Sequence, residues 1–373
     1  MHPRARRSPD IKPPFRADHV GSLLRPAGLA ATRTRFKRGE LEFGALRQVE
    51  DDAIRAVVTR QEALGLQSIT DGEFRRDYWH IDFLRQFAGV TIAENPGPKF
   101  GGTDEQPPIA TVTGRIDCLA PIMAEDFAFL KSVTARTAKY TIPSPSMLHL
   151  RGGRKAISQA VYPDLAEFWN DVGAAYRQAI SYFAVRGCTY LQLDDVSFAY
   201  LCDPKFRDGC RRNGDDPAEL PRCYVNAVNA ALHDRPAGMT VTMHTCRGNF
   251  KSSWVAEGGY EPVAEAMFSA NVDGFFMEFD SARAGTFEPL RFLPRGKKVV
   301  LGLVTTKIAE LESPDEIKRR IDAATAFVPL ENLCLSPQCG FSSTHHGNAV
   351  SEEEQWRKLE LVVRVAEQIW GDG

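Results

Sequence analysis

Four side chains in this 373-residue sequence could together hold a metal ion: His244, Cys246, Glu278 and Cys339. His244 and Cys246 lie in Met-His-Thr-Cys-Arg-Gly-Asn (243–249), at the end of the apolar stretch Met239-Thr-Val-Thr-Met243. Glu278 ends Phe275-Phe-Met-Glu278, and Cys339 ends Leu333-Cys-Leu-Ser-Pro-Gln-Cys339. Two thiols, an imidazole and a carboxylate make a soft donor set. It suits zinc better than magnesium or calcium, which prefer oxygen. His244 and Cys246 are two residues apart, so both point to one side of a strand. A structural zinc usually clips a short loop through Cys-x-x-Cys pairs, and the chain has none. Ligands drawn from three distant strand ends point to a functional metal. The plainer alternative is a buried core histidine with small, inert cysteines.

The elements that must position these residues repeat one phrase: amphipathic helix, glycine, buried strand, polar strand end. Residues 41–64 carry Leu46, Val49, Ile54, Val57, Val58, Gln61 and Leu64 roughly on one helical face, and Gly65 follows as a stop. Residues 164–186 repeat the pattern before Gly187, and a helix over 314–327 precedes Leu333-Cys-Leu-Ser. Eight strands are expected, near 16–22, 68–73, 139–144, 190–195, 239–246, 274–279, 298–304 and 333–338. Alternating strands and helices imply parallel pairing with right-handed crossovers. Reactive residues at so many strand ends favour an α/β (β/α)8 TIM barrel over an open sheet with one switch point. Residues 88–138 break the repeat and read as a β-hairpin-like insertion between strands 2 and 3. Residues 202–222, rich in Asp, Arg, Gly and Pro, read as a surface loop. Residues 1–14 read as a frayed tail and 15–373 as a single domain.

Composition excludes several classes. Hydrophobic residues make up 43% and charged residues 25%, as in an ordinary globular protein. A formal net charge of −2 and no basic block argue against nucleic acid. No apolar run is long enough for a membrane span. The basic N-terminus lacks the apolar core of a signal peptide. Eight scattered cysteines read as reduced cytoplasmic thiols.

Six pieces, in order, carry a resemblance: Phe-Arg-Ala-Asp-His-Val-Gly-Ser-Leu-Leu-Arg-Pro (15–26), Thr-Asp-Gly-Glu-Phe-Arg-Arg (70–76), Leu-Gln-Leu-Asp-Asp (191–195), His-Thr-Cys-Arg-Gly-Asn (244–249), Met-Glu-Phe-Asp (277–280) and Ser-Pro-Gln-Cys-Gly-Phe (336–341). Together they resemble the cobalamin-independent methionine synthase family, in a short form similar to its C-terminal catalytic barrel. The resemblance implies an S-methyltransferase with Zn2+ on His244, Cys246, Glu278 and Cys339. It implies homocysteine bound by Ser22, Glu73 and Asp194. Two carboxylates suit an ammonium group, and a hydroxyl with a backbone N–H suits a carboxylate. An internal pairing of Glu73 and Asp194 with Arg75, Arg76 or Arg16 is the alternative.

The half of the site that would serve a methyl donor departs from that pattern. The longer enzymes carry a histidine in Asp-Ile-His-Ser-Pro, thought to protonate the leaving group. Here Gly302-Leu-Val-Thr-Thr-Lys-Ile308 puts Lys307 there. A lysine with its usual pKa of ~10.4 is a weak acid at neutral pH. His345 and His346 are candidate replacements, or else exposed loop residues. The Trp-containing folate motif is absent from Ile142-Pro-Ser-Pro-Ser-Met-Leu-His149. The donor therefore stays open, folate or other. An alkyltransferase using an epoxide or a corrinoid methyl group and a coenzyme M-like thiol is one alternative. A barrel zinc hydrolase is another, disfavoured by two thiolates at the metal. Small molecules are the expected partners, with self-association left open.

Overall fold

Among the described residues nine short strands form in chain order: β1 (Ser68–Ile69), β2 (Ala88–Ala93), β3 (Ile109–Asp117), β4 (Thr137–Pro143), β5 (Tyr190–Asp195), β6 (Thr240–Thr245), β7 (Gly274–Glu278), β8 (Lys298–Val304) and β9 (Leu333–Pro337). They belong to a computed structural model that describes residues 12–95 and 106–371. Seven strands make one parallel sheet in the order β1-β4-β5-β6-β7-β8-β9, with β2 and β3 paired antiparallel apart from it. The parallel register puts Asp194 beside His244 on neighbouring strands and Glu278 beside Gly302. Every residue of β5, β7 and β9 is buried. Strands covered on both faces need such continuous burial, because crossover helices lie over a parallel sheet.

The helices Phe43–Ala63, Leu165–Val185 and Pro314–Ala324 fall where the periodicity places them. On Leu165–Val185 the buried face runs through Phe168, Val172, Tyr176, Ile180 and Phe183. Asp164 caps its start by accepting a bond from Ala166 N. Residues 202–222 correct the sequence reading, since Pro204–Arg212 is a helix. Asp203 Oδ1 accepts a bond from Lys205 N at 2.8 Å, and Pro204 sits in the first turn, where its missing N–H costs nothing. Composition suggested a loop, but capping residues decide the matter. The stretch between β1 and β4 holds the β2–β3 pair and a helix, Ala124–Ser132. Part of the span joining β2 to β3 lies outside the described residues. Of the stretch expected as a tail, residues 1–11 lie outside the described residues, while Pro14 is buried and its carbonyl accepts from Lys298 Nζ at 3.1 Å. No helix among the described residues is long and apolar enough to cross a membrane.

Residues 16–22 form no strand of their own. Ala17 makes one parallel bridge to Leu335 on β9. On the other side, Thr70 Oγ1 donates to Gly21 O at 2.7 Å and Leu23 N to Gly72 O at 3.0 Å. One segment thus reaches both edges of the seven-stranded sheet. Side chains hold it. Asp18 and Lys139, both 0% exposed, pair at 3.1 Å, and Lys139 Nζ also donates to His19 O. Asp18 accepts further bonds from Ser68 Oγ at 2.7 Å and Tyr190 OH at 2.8 Å. Burial pulls the Lys139 ammonium below its usual range, against the opposing pull of Asp18.

Removing one partner of such a pair leaves an uncompensated buried charge. Lys139→Met is expected to lower the unfolding free energy by about 3–5 kcal/mol. Adding Asp18→Asn to it should recover part of the loss. Urea unfolding of the three proteins checks this, and a single variant as stable as the wild type would show that the pair does not hold the segment.

Candidate metal and substrate site

Three of the four expected ligands converge. One ligand atom from each of His244, Cys246 and Cys339 lies within 4.8 Å of the others, and all three residues are buried. The Cys246 and Cys339 sulfurs are 3.4 Å apart. That is far beyond a disulfide bond, whose length is about 2.05 Å. It is near the roughly 3.8 Å between two thiolates on one tetrahedral zinc with bonds of about 2.3 Å. The donors therefore fit the ion. The pair shares a proton: Cys246 donates to Cys339. That bond and burial push the Cys246 thiol well up, and the same bond, with His244 and Lys307 nearby, pulls Cys339 well below the usual thiol range. Burial lowers the His244 imidazole, but its bonds to Asp194 and Cys339 outweigh this and raise it to about 10.

Glu278 does not join this group. Its Oε2 accepts from Arg247 N at 2.9 Å, and its Oε1 accepts from Arg283 Nη2 at 2.6 Å and Nε at 3.2 Å. Burial works against its negative charge, but Lys307, Arg247 and Arg283 overcome it and hold the carboxyl below its usual range.

Ser22, Glu73 and Asp194 line one cavity of about 40 Å³ together with His244, Cys246 and Cys339. Five chain segments meet there. Asp194 Oδ1 accepts from Gln192 Nε2 at 2.7 Å and faces His244 Nδ1 at 3.3 Å, which orients both side chains. Ser22 packs against the loop after β9 so closely that a Cβ on Gly340 would lie 1.9 Å from Ser22 Oγ. Glu73 has a left-handed backbone, φ 60°, directly after Gly72 at φ 66°. Glycine takes that conformation freely, whereas a glutamate stores strain there, of order 1–3 kcal/mol. The strained turn is held by Asp71 Oδ1, which accepts from Glu73 N at 2.8 Å, and by Arg25, which donates to the carbonyls of Glu73 and Arg76. Glu73 Oε1 accepts from Thr141 Oγ1 at 2.9 Å, and its buried Oε2 has no partner. The alternative pairing with arginine is weak: Arg76 lies 3.9 Å from Glu73, Arg75 pairs with Asp51 and Asp126, and Arg16 donates to the carbonyls of Glu331 and Leu333.

The expected acid candidates lie outside the cavity wall. Lys307 is buried, and its Nζ donates to Gly248 O at 3.1 Å. His345 and His346 stack on each other with ring centroids 3.8 Å apart and pack on Tyr78. The wall instead includes His80, Arg151, Tyr200 and Asn249, which the sequence reading missed. Both ring nitrogens of His80, the Tyr200 hydroxyl and Asn249 Oδ1 are buried without a partner. A signal existed for Asn249, which sits within a quoted motif, and a weaker one for His80, four residues beyond another. Nothing in the sequence flags Arg151 or Tyr200.

Such a site, an imidazole and two thiols at the ends of parallel strands, defines an α/β enzyme built for thiol or metal chemistry. The comparisons make it specific. A family model described as the cobalamin-independent synthase catalytic domain matches residues 15–368. The uncharacterized protein YxjG of Bacillus subtilis is 47% identical over 363 residues, covering 96% of each chain. A methionine synthase of Pyrococcus abyssi is 23% identical over 330 residues, 86% of this chain and 84% of that one. A crystal structure from Listeria monocytogenes, provisionally described as a vitamin-B12 independent methionine synthase, superposes with a TM-score of 0.77 at 42% identity, covering 96% of this chain and 98% of the other. The chain belongs to the cobalamin-independent synthase catalytic-domain family, and is a methyltransferase-class enzyme.

Burial, with Asp194 adding to it, raises the Glu73 carboxyl to about 7 against the pull of Arg76. A pKa raised on folding stabilises the fold fully below the unfolded value, and that stability is lost as pH rises through about 7. Glu73→Gln removes this dependence. The variant is therefore expected to gain on the wild type by up to about 3 kcal/mol between pH ~4.5 and ~7.5. Urea unfolding of both proteins across that range checks it, since other titrating groups cancel in the difference. A difference that stays flat with pH would overturn the assignment.

Proposed function

We propose that the protein is a zinc-dependent S-methyltransferase that makes methionine from homocysteine. One observation carries this: Ser22, Glu73, Asp194, His244, Cys246 and Cys339 line a single small cavity. Its polar lining suits the side of the reaction that holds a small amino acid. The unpartnered Glu73 Oε2 and the Asp194 carboxylate are acceptors for an α-ammonium, and the Ser22 hydroxyl and backbone serve the α-carboxylate.

His244, Cys246 and Cys339 would hold the zinc, with Glu278 as a fourth donor. A bound zinc would deprotonate the substrate thiol while leaving it nucleophilic, since two thiolates already donate to the metal. The chain's own residues then orient that sulfur. The methyl group passes to sulfur, and the electron pair of the broken bond stays on the donor. His80, Tyr200, Asn249 and Arg151 offer polar groups on the cavity wall to receive that donor. They stand in for the expected acids, Lys307, His345 and His346, none of which lines the cavity. The donor, folate or another methyl carrier, is left to assay.

The same reading completes the fold. Residues 16–22 take the eighth strand position and close a (β/α)8 barrel, with β2 and β3 as the hairpin-like insertion in one domain. The bridge to β9 and the bonds from Thr70 and Leu23 at the β1 edge support this. Closure is what would bring Ser22 to the mouth shared by the other strand ends.

Zinc-loaded protein given homocysteine and candidate donors should form methionine, and zinc-stripped protein should not. Asp194→Asn is expected to weaken homocysteine binding by roughly 2–5 kcal/mol, the usual effect of removing one partner of a buried charge pair. Calorimetry on the zinc-loaded protein measures it. Tight folate binding with no detectable homocysteine binding would reverse the assignment of the two halves.

A further inference from the structure

Arg25 stands three residues beyond Ser22, and the methyl-transfer chemistry gives it no part. Burial, against the pull of Glu73, lowers its guanidinium to about 10, so it stays charged at neutral pH. It spends that charge on main-chain carbonyls. Nη2 donates to Glu73 O at 3.0 Å and to Arg76 O at 2.8 Å, the two carbonyls that bracket the strained turn. Nη1 donates to Ser342 O at 3.0 Å, Ser342 Oγ at 2.6 Å and Thr344 O at 3.1 Å, on the loop after β9. The backbone just before Arg25 is itself held, since Leu23 N donates to Gly72 O at 3.0 Å and Leu24 N to Gln355 Oε1 at 2.7 Å. A guanidinium is a rigid planar fork, so its two ends can grip two chain segments at once. An ammonium is a point charge on a flexible stem and offers no such fork.

Glu73 keeps its left-handed backbone between these grips. Asp71 fixes the N–H side of the residue, and Arg25 fixes the carbonyl side. A glutamate free of such bonds falls back to negative φ, where it is not strained. The side chain adds one bond of its own, from Thr141 Oγ1 at 2.9 Å. We propose that Arg25 is a positioning residue for the substrate ammonium: it clamps the Glu73 turn to the loop after β9 and so keeps the Glu73 carboxylate in the cavity wall. This rests on the reading of Glu73 as an acceptor for the α-ammonium. The charge of Arg25 acts separately from its shape. As a charge it pulls Glu73 toward its ordinary range, beside Arg76 and against Asp194 at the end of β5. Removing Arg25 therefore has two opposite possible results. Loss of a charge alone raises the Glu73 carboxyl further. Loss of the clamp releases the carboxylate to water and returns it to its ordinary range.

Urea unfolding between pH ~4.5 and ~7.5 separates the two, each protein being compared with its own Glu73→Gln variant. In the wild type the difference grows with pH. In Arg25→Met and Arg25→Lys that growth is expected to fall by at least about half. Unchanged or larger growth in Arg25→Met overturns the proposal. Wild-type growth in Arg25→Lys does so too, because that variant keeps the cation and loses the fork. Calorimetry of homocysteine on the zinc-loaded proteins is the second measurement. Arg25→Met and Arg25→Lys are each expected to bind at least about tenfold more weakly than the wild type. Arg25→Met combined with Glu73→Ala should bind about as Glu73→Ala alone does, since the clamp then has no carboxylate to hold. A further tenfold loss in the double variant counts against the clamp. Should Arg25→Met fail to fold, Arg25→Lys carries both measurements. A wild-type protein that binds no homocysteine sinks the amino-acid reading, whereas equal binding by the wild type and Arg25→Lys sinks only the clamp.

Discussion

The buried pair of Asp18 and Lys139 is the interaction on which the rest of the site depends. The segment that delivers Ser22 has almost no ladder of its own, only the bridge from Ala17 to Leu335. Backbone pairing alone would leave it free to slide. Asp18 fixes it by gathering Lys139 from β4, Ser68 from β1 and Tyr190 from β5 onto one carboxylate. Buried ion pairs are poor sources of net stability, because desolvation offsets most of the attraction. Their geometry is nevertheless demanding, and here that geometry sets the register of the segment. Ser22 stands four residues beyond Asp18, at the cavity, so an error at Asp18 would misplace it.

Beyond that anchor, crowding fixes the site. A side chain at Gly340 would strike Ser22, and one at Gly302 would lie 2.6 Å from the Gln338 backbone. These contacts press the loop after β9 against Ser22 and β8. Arg25 then ties the same loop to the Glu73 turn, donating to Ser342 O and Thr344 O on one side and to Glu73 O and Arg76 O on the other. The strain at Glu73 persists because these bonds over-determine the turn. Several polar atoms of the wall remain unsatisfied within the protein, Glu73 Oε2 and the His80 nitrogens among them. Buried groups of that kind are costly unless something else pairs with them, and a ligand with complementary donors and acceptors is what this wall is shaped to receive.

Much of this was legible in the sequence, for identifiable reasons. Strand interiors announced themselves because parallel strands covered on both faces are apolar throughout, as in Phe275-Phe-Met. The long helices showed because a one-sided burial pattern leaves a 3.6-residue period. His244, Cys246 and Cys339 could be grouped because strand ends on a parallel sheet all face one way. Three things were hidden. The helix Pro204–Arg212 has few apolar residues, so only its Asp-Pro start betrays it. The segment 16–22 is held by side chains and not by a ladder, which no periodicity records. Glu278 has the right type and place for a ligand, but its engagement by Arg283 depends on how the chain after β7 folds back, through Asp280 and Ser281, over the strand end.

Arg151 and Tyr200 show why the rest of the cavity wall was harder to read than its thiols and carboxylates. The thiol half uses residues that chemistry singles out: thiols, an imidazole, and carboxylates at strand ends. The rest of the cavity wall includes a tyrosine from a short helix after β5 and an arginine from the turn after the 3-10 segment 145–148. Such residues are common on any surface, and only the fold turns them inward. His80 belongs with them, because its two unpaired nitrogens acquire meaning only beside Arg151 in a closed wall. Lys307 occupies the position expected of an acid, yet its ammonium is spent on Gly248 O and on the field around Cys246, Glu278 and Cys339. A cation buried there helps keep the thiol and carboxylate charges ionised. Lys307 thus adds a positive charge to the electrostatics around Cys246, Glu278 and Cys339.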